Sequence, residues 1–110
     1  MRKYTVNIKD KEYDLALTRD SIKWLGNYGF DLENFGNKII NNIDLLWCAG
    51  FMAYHKDVNP NLAMKLMESY KEEDGDVMDA INFLAEEYTA FMDAQTATSS
   101  NMKKGKITEI

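Results

Sequence analysis

Tyr4-Thr5-Val6-Asn7-Ile8, then Lys9-Asp10-Lys11-Glu12, then Tyr13-Asp14-Leu15-Ala16-Leu17-Thr18: the reading of this stretch decides the fold class. Tyr4, Val6 and Ile8 alternate with Thr5 and Asn7, and Tyr13, Leu15 and Leu17 alternate with Asp14 and Ala16. Alternation at period two marks a half-buried strand. The short polar link at residues 9–12 joins the two runs, which predicts a β-hairpin at residues 3–17 with one face turned inward. Two strands alone are marginal in water, so this hairpin must lean on helices.

Downstream, the period changes from two to the helical one. Thr18 is placed to cap a helix beginning at Arg19, in which Ile22, Leu25 and Tyr28 share a face. Gly29 is its expected C-terminal stop, and residues 30–37 read as a connection. A second helix is predicted over about 38–54. Ile39, Ile43, Leu46, Gly50 and Tyr54 follow helical spacing there, and Ile40, Trp47 and Phe51 widen the same face. Leu45, Cys48, Ala49, Met52 and Ala53 leave little polar surface opposite, and a helix apolar nearly all round packs on several sides. Asn59-Pro60 starts a third helix, with Leu62, Leu66, Met67 and Tyr70 as its stripe. Glu72-Glu73-Asp74-Gly75 breaks it. Asp76 caps a fourth, carrying Val77, Met78, Ile81, Leu84, Ala85, Tyr88, Phe91 and Met92, and the pattern dies from Gln95. The expected architecture is α+β, mainly α: an N-terminal hairpin packed on a bundle of about four helices. Residues 1–95 form a single globular domain, and residues 96–110 a flexible C-terminal tail.

Composition narrows the function. The chain has 110 residues, 45% hydrophobic and 28% charged, the size and make-up of one ordinary domain. Its net charge is −5, and residues 1–102 carry 17 acidic groups against 10 basic ones. Phosphate binding needs a basic face, so no nucleic-acid partner is expected. No apolar run approaches the roughly 20 residues of a membrane span. Met1-Arg2-Lys3 leads into an alternating pattern and not an apolar block, so no secretory leader is expected. The single cysteine, Cys48, sits in an apolar run and reads as a buried small hydrophobe of a reducing cytoplasm.

Chemistry-bearing constellations are sparse. A zinc site needs about four ligands, whereas the sequence offers one imidazole, His55, and one thiol, Cys48, seven positions apart. The loop at Asp74 lacks the glycine that a calcium loop places sixth; Asp79 stands there. No glycine-rich phosphate loop appears, and no nucleophile has an oriented base beside it. Hence no metal, no cofactor, no catalytic residue and no enzymatic activity are expected. The informative residues are large apolar groups off their stripes. Trp24 turns away from Ile22, Met64 falls among Lys65, Glu68 and Lys71, and Phe83 among Asp79, Asn82 and Glu86. Apolar groups on polar faces mark a contact surface unless a neighbouring element covers them, so Trp24, Met64 and Phe83 are the candidate partner-binding residues.

The order of these pieces resembles a known family. Tyr4-Thr5-Val6-Asn7-Ile8, Lys11-Glu12-Tyr13-Asp14-Leu15 and Leu17-Thr18-x-x-Ser21-Ile22 are similar to the start of tail assembly chaperones of long-tailed bacteriophages and prophages of Gram-positive bacteria. Ile43-Asp44-Leu45-Leu46-Trp47-x-Ala49-Gly50 and Phe83-Leu84-x-Glu86-x-Tyr88 look similar too, so the resemblance covers residues 4 to about 92. It implies a cytoplasmic protein of the bacterial host, absent from the mature virion. Such a protein binds the long helical tape-measure protein, keeps it soluble and assists tail-tube assembly. It further implies a longer product made by ribosomal frameshifting near the end of the reading frame, which would reach tail-tube subunits. Lys103-Lys104 is a place where adenine-rich codons would let a ribosome slip. Seven Met and thirteen aromatic residues suit an adaptable helix-binding surface, with self-association as a further expectation. The alternative reading is a small intracellular adaptor or regulatory domain that binds a different protein.

Overall fold

In a computed structural model, which describes the backbone of residues 2–32 and 39–109 and the side chains of residues 2–32 and 39–94, the chain opens with β1 (Tyr4–Ile8) and β2 (Lys11–Leu15). The strands pair antiparallel, with Tyr4 opposite Leu15, Val6 opposite Tyr13 and Ile8 opposite Lys11. Val6, Ile8, Tyr13 and Leu15 point inward and are buried. The turn is only Lys9-Asp10, both in the left-handed region at φ 52° and 63°. That backbone matches the strand twist, and Asp tolerates it. The link is therefore two residues shorter than the polar run suggested, and β2 starts at Lys11. It also stops at Leu15 instead of Leu17, because the Ala16 amide leaves the ladder to donate to the Gly50 carbonyl at 3.0 Å.

α1 (Arg19–Asn27) begins as its sequence asks. The Thr18 hydroxyl accepts from the Ser21 amide at 3.2 Å, and the Ser21 hydroxyl accepts from the Thr18 amide at 3.1 Å. It ends in a Schellman arrangement, in which the Phe30 amide donates to the Leu25 carbonyl at 3.0 Å and Gly29 sits at φ 83°. Buried Asn42 then fastens the exit: its Oδ1 accepts from the Asp31 amide at 3.3 Å, and its Nδ2 donates to the Asp31 carbonyl at 3.1 Å.

α2 (Ile39–Gly50) contacts α1, α3 (Pro60–Glu72) and α4 (Val77–Glu109), the central place its all-round apolarity predicts. Leu46, Trp47, Ala49, Gly50 and the following Phe51 are buried. Trp47 donates its indole N–H to the Ala63 carbonyl at 2.7 Å, which resolves the only polar atom of a fully buried ring. The helix stops four residues before the predicted Tyr54. Amides of Phe51 and Met52 bond three residues back, to Cys48 and Ala49, so the last turn tightens into a connection. Gly50 is needed where it stands: a Cβ there would lie 3.0 Å from Leu84 and 3.4 Å from Leu15, so β2 and α4 close onto α2 across a missing side chain.

Asn59 caps α3 by accepting from the Leu62 amide at 2.8 Å, and the Asp76 carboxylate caps α4 by accepting from the Asp79 amide at 3.0 Å. The boundary read at Gln95 falls inside α4, whose backbone continues to Glu109. Extending an established helix costs little per residue. The tail expected over 96–110 lies outside the residues whose side chains are described. One buried cluster draws on the hairpin and all four helices, giving the α+β, mainly α architecture expected of a hairpin on a four-helix bundle. Among the described residues no helix is long and apolar enough to cross a membrane.

Candidate functional site

The three off-stripe residues lie on three different helices, and each is partly buried and packed against the core. Phe83 on α4 is covered by the hairpin. The Tyr4 ring lies 5.6 Å from it and the Arg2 guanidinium 5.4 Å from its centroid. Both covering residues are anchored on α4 itself: the Tyr4 hydroxyl donates to Asp79 at 2.6 Å, and Arg2 pairs with Glu87 at 2.7 Å. The Tyr4 phenol is raised above its ordinary value by that bond to Asp79. Asp79, Phe83 and Glu87 are four residues apart, so one row of α4 seats β1 while another faces the core. Met64 packs on the core from α3. The Trp24 ring lies 4.7 Å from that of Tyr28, tilted by 32°, and Tyr28 is 61% exposed, so this pair keeps an open aromatic face.

A second apolar surface was assigned to the core by the sequence pattern. Ile40, the most exposed large apolar residue among the described residues, is 75% exposed, and Met78 is 45% exposed. Together with Ile43, Met67 and Val77 they line a groove of about 270 Å³, with Asp44 and Lys71 at its sides. Three element ends build it: the first turns of α2, the last turn of α3 and the first turn of α4. The α3–α4 corner fixes the spacing. The Gly75 amide donates to the Tyr70 carbonyl at 2.7 Å and the Asp74 amide to the Lys71 carbonyl at 3.1 Å, with Asp74 left-handed at φ 61°. A Cβ on Gly75 would land on the Tyr70 ring, so the corner closes only with glycine there. Helical arithmetic placed Ile40 and Met78 on buried faces because it counts a face as covered along its whole length. At helix ends a neighbour is missing on one side. The usable signal was the all-round apolarity of α2, which has more apolar faces than three helical neighbours can cover.

Electrostatics in the groove centre on Asp44. Burial pushes its carboxyl up, Lys71 pulls it down, and Glu68 pushes it up again. The remaining reactive side chains serve the fold. Cys48 is buried, its thiol pushed up to about 11 chiefly by that burial, and its Sγ lies 3.8 Å from the Pro60 carbonyl. His55 accepts the Asp14 amide at Nε2, 3.0 Å away, and so caps the free edge of β2. Among the described residues no group of three His, Cys, Asp or Glu is placed to hold a metal ion.

Set against known proteins, residues 2–109 match a family described as Domain of unknown function (DUF5055). No curated protein and no solved structure matches the chain.

Proposed function

We propose that this chain, which belongs to the family described as Domain of unknown function (DUF5055), is a tail assembly chaperone that binds the tape-measure protein of a long-tailed phage. The observation that carries the proposal is the groove between α2, α3 and α4. Ile40 and Met78 stand open to solvent beside Ile43, Met67 and Val77. An apolar groove between helix ends suits the helix-in-groove mode, in which an amphipathic helix lays its apolar face among such side chains. A tape measure is a long amphipathic helix that needs cover until the tube encloses it. Methionines such as Met67 and Met78 repack around different side chains, which suits a chaperone meeting many segments of one long partner. The order of elements from Tyr4 to about Met92 resembles the same family of chaperones.

In this reading the protein works without chemistry of its own in the cytoplasm of the bacterial host, and leaves before the virion matures. A longer frameshifted form would bring in tail-tube subunits. The test is co-expression with the tape-measure protein of the same locus. Co-purification and a gain in soluble tape measure are expected, with both reduced by Ile40→Ser and by Trp24→Ser at little change in thermal unfolding. A locus without a long coil-rich gene, or a tape measure equally insoluble with and without the chain, would overturn the proposal. A stable complex with a different protein of the locus would favour the adaptor reading instead.

A further inference from the structure

Two bonds of different kinds hold the outer edge of β2. The Ala16 amide donates to the Gly50 carbonyl at 3.0 Å, and the Asp14 amide donates to Nε2 of His55 at 3.0 Å. Asp14 and Ala16 are two residues apart, so both amides leave the strand on the same side. The first acceptor is a carbonyl, which keeps its lone pairs at any pH. The second is an imidazole nitrogen, which accepts only while it carries no proton. The bond therefore fixes His55 as the neutral tautomer with its proton on Nδ1. An imidazolium, with N–H at both positions, would meet the Asp14 amide donor to donor.

The backbone under the ring is held. The His55 amide donates to the Phe51 carbonyl at 2.8 Å, and the His55 carbonyl accepts from the Val58 amide at 3.0 Å. The ring lies against Tyr13 and Phe51, with centroids 5.1 and 6.2 Å away. It also lines a cleft of about 460 Å³ with Thr18, Asp20, Met52 and Lys56. The charged groups around it are Asp14 on β2, Lys3 bonded to that carboxylate from the N-terminal side of β1, Asp20 at the start of α1, and Lys56 next in the chain. Those charges set where the ring titrates; the bond sets what its titration does. His55 is the chain's one imidazole, the side-chain type whose ordinary charge change falls between about pH 5 and 8. Asp14 is held below its ordinary value and so stays charged across that range.

We propose that His55 is a pH-sensitive latch. Neutral, it ties the connection between α2 and α3 to the outer edge of β2. Protonated, it lets go of Asp14 while the bond from Ala16 to Gly50 stays closed. The device needs no partner and is independent of the chaperone reading.

Nitrogen NMR of the imidazole in the full chain tests the closed state: in the neutral ring the proton is expected on Nδ1, with Nε2 bare. Amide exchange tests the release, read as protection relative to the intrinsic rate at each pH. Protection at Asp14 should fall by roughly five- to tenfold as His55 takes up its proton, the size one hydrogen bond commands. Protection at Ala16 should hold. His55→Gln offers an amide oxygen that accepts at any pH and should make Asp14 protection flat over the same range, while His55→Ala should leave it low throughout. A proton on Nε2 of the neutral ring, Asp14 protection unchanged through the titration, or an equal fall at Ala16 would each overturn the proposal. So would a pH dependence that survives His55→Gln, or protection retained in His55→Ala.

Discussion

Single residues carry the clearest energetic expectations. Trp47 is fully buried, lies against Phe51 and Tyr70, and spends its one N–H on Ala63. Trp47→Ala should cost about 3–5 kcal/mol, read from chemical denaturation; a change near zero would remove it from the core. Two carboxylates should show opposite pH behaviour. Asp14 is held below its ordinary value, first by the Thr5 hydroxyl and further by Lys3. Its contribution is therefore complete above the unfolded value and lost as pH falls through the lower folded one. Asp44 is raised, first by burial, so its charged form works against folding at neutral pH and ceases to do so once acid protonates it. Asp14→Asn should thus lower the melting temperature at pH 7 but not near pH 2, and Asp44→Asn should raise it at pH 7 with the gain fading in acid. Shifts of the same sign for both variants would contradict these assignments. Among the candidate binding residues, Trp24 keeps an open neighbour in Tyr28, whereas Phe83 is covered by Tyr4. No sequence pattern could tell the two apart, because both were equally off their stripes.

At the scale of elements, the helix signals were legible because they are local. Thr18, Gly29, Asn59 and Asp76 each stand at the helix end where the sequence places them and satisfy backbone groups within a few residues, while the answering bond from Ser21 back to Thr18 is added by the structure. Boundaries set by distant partners were not legible. β2 ends where Ala16 turns to Gly50, and α2 ends where its last amides tighten onto Cys48 and Ala49. The hairpin turn is the element most open to improvement. Lys9 and Asp10 both hold positive φ, and a non-glycine residue pays about 1 kcal/mol or more for that conformation. Replacing Lys9-Asp10 by Asn-Gly should therefore add roughly 0.5–1 kcal/mol of stability, measured by urea unfolding. The bond from the residue 9 amide to Glu73 survives the exchange, since it is a backbone donor. A loss of stability would mean that the lysine and aspartate side chains make contacts of their own.

At the scale of the whole molecule, the chaperone reading predicts something about the gene product itself. In that reading, adenine-rich codons at Lys103-Lys104 would let a ribosome slip. Mass spectrometry of the expressed locus should find a longer protein sharing residues 1 to about 104, and the codons there should form a slippery run of adenines. A single product ending at Ile110, with codons that cannot re-pair after a one-base shift, would reject that part of the reading. The sequence by itself determined the element types, their order, the caps and the central rank of α2. Those depend on periodicity and on bonds spanning three or four residues, which are written along the chain. Only the tertiary structure decided that Phe83 lies under Tyr4, that Gly50 is a contact point, and that Ile40 and Met78 stand open beside Asp44. Exposure is set by what distant segments cover, and at the ends of helices the chain's own period carries no record of which neighbour is missing.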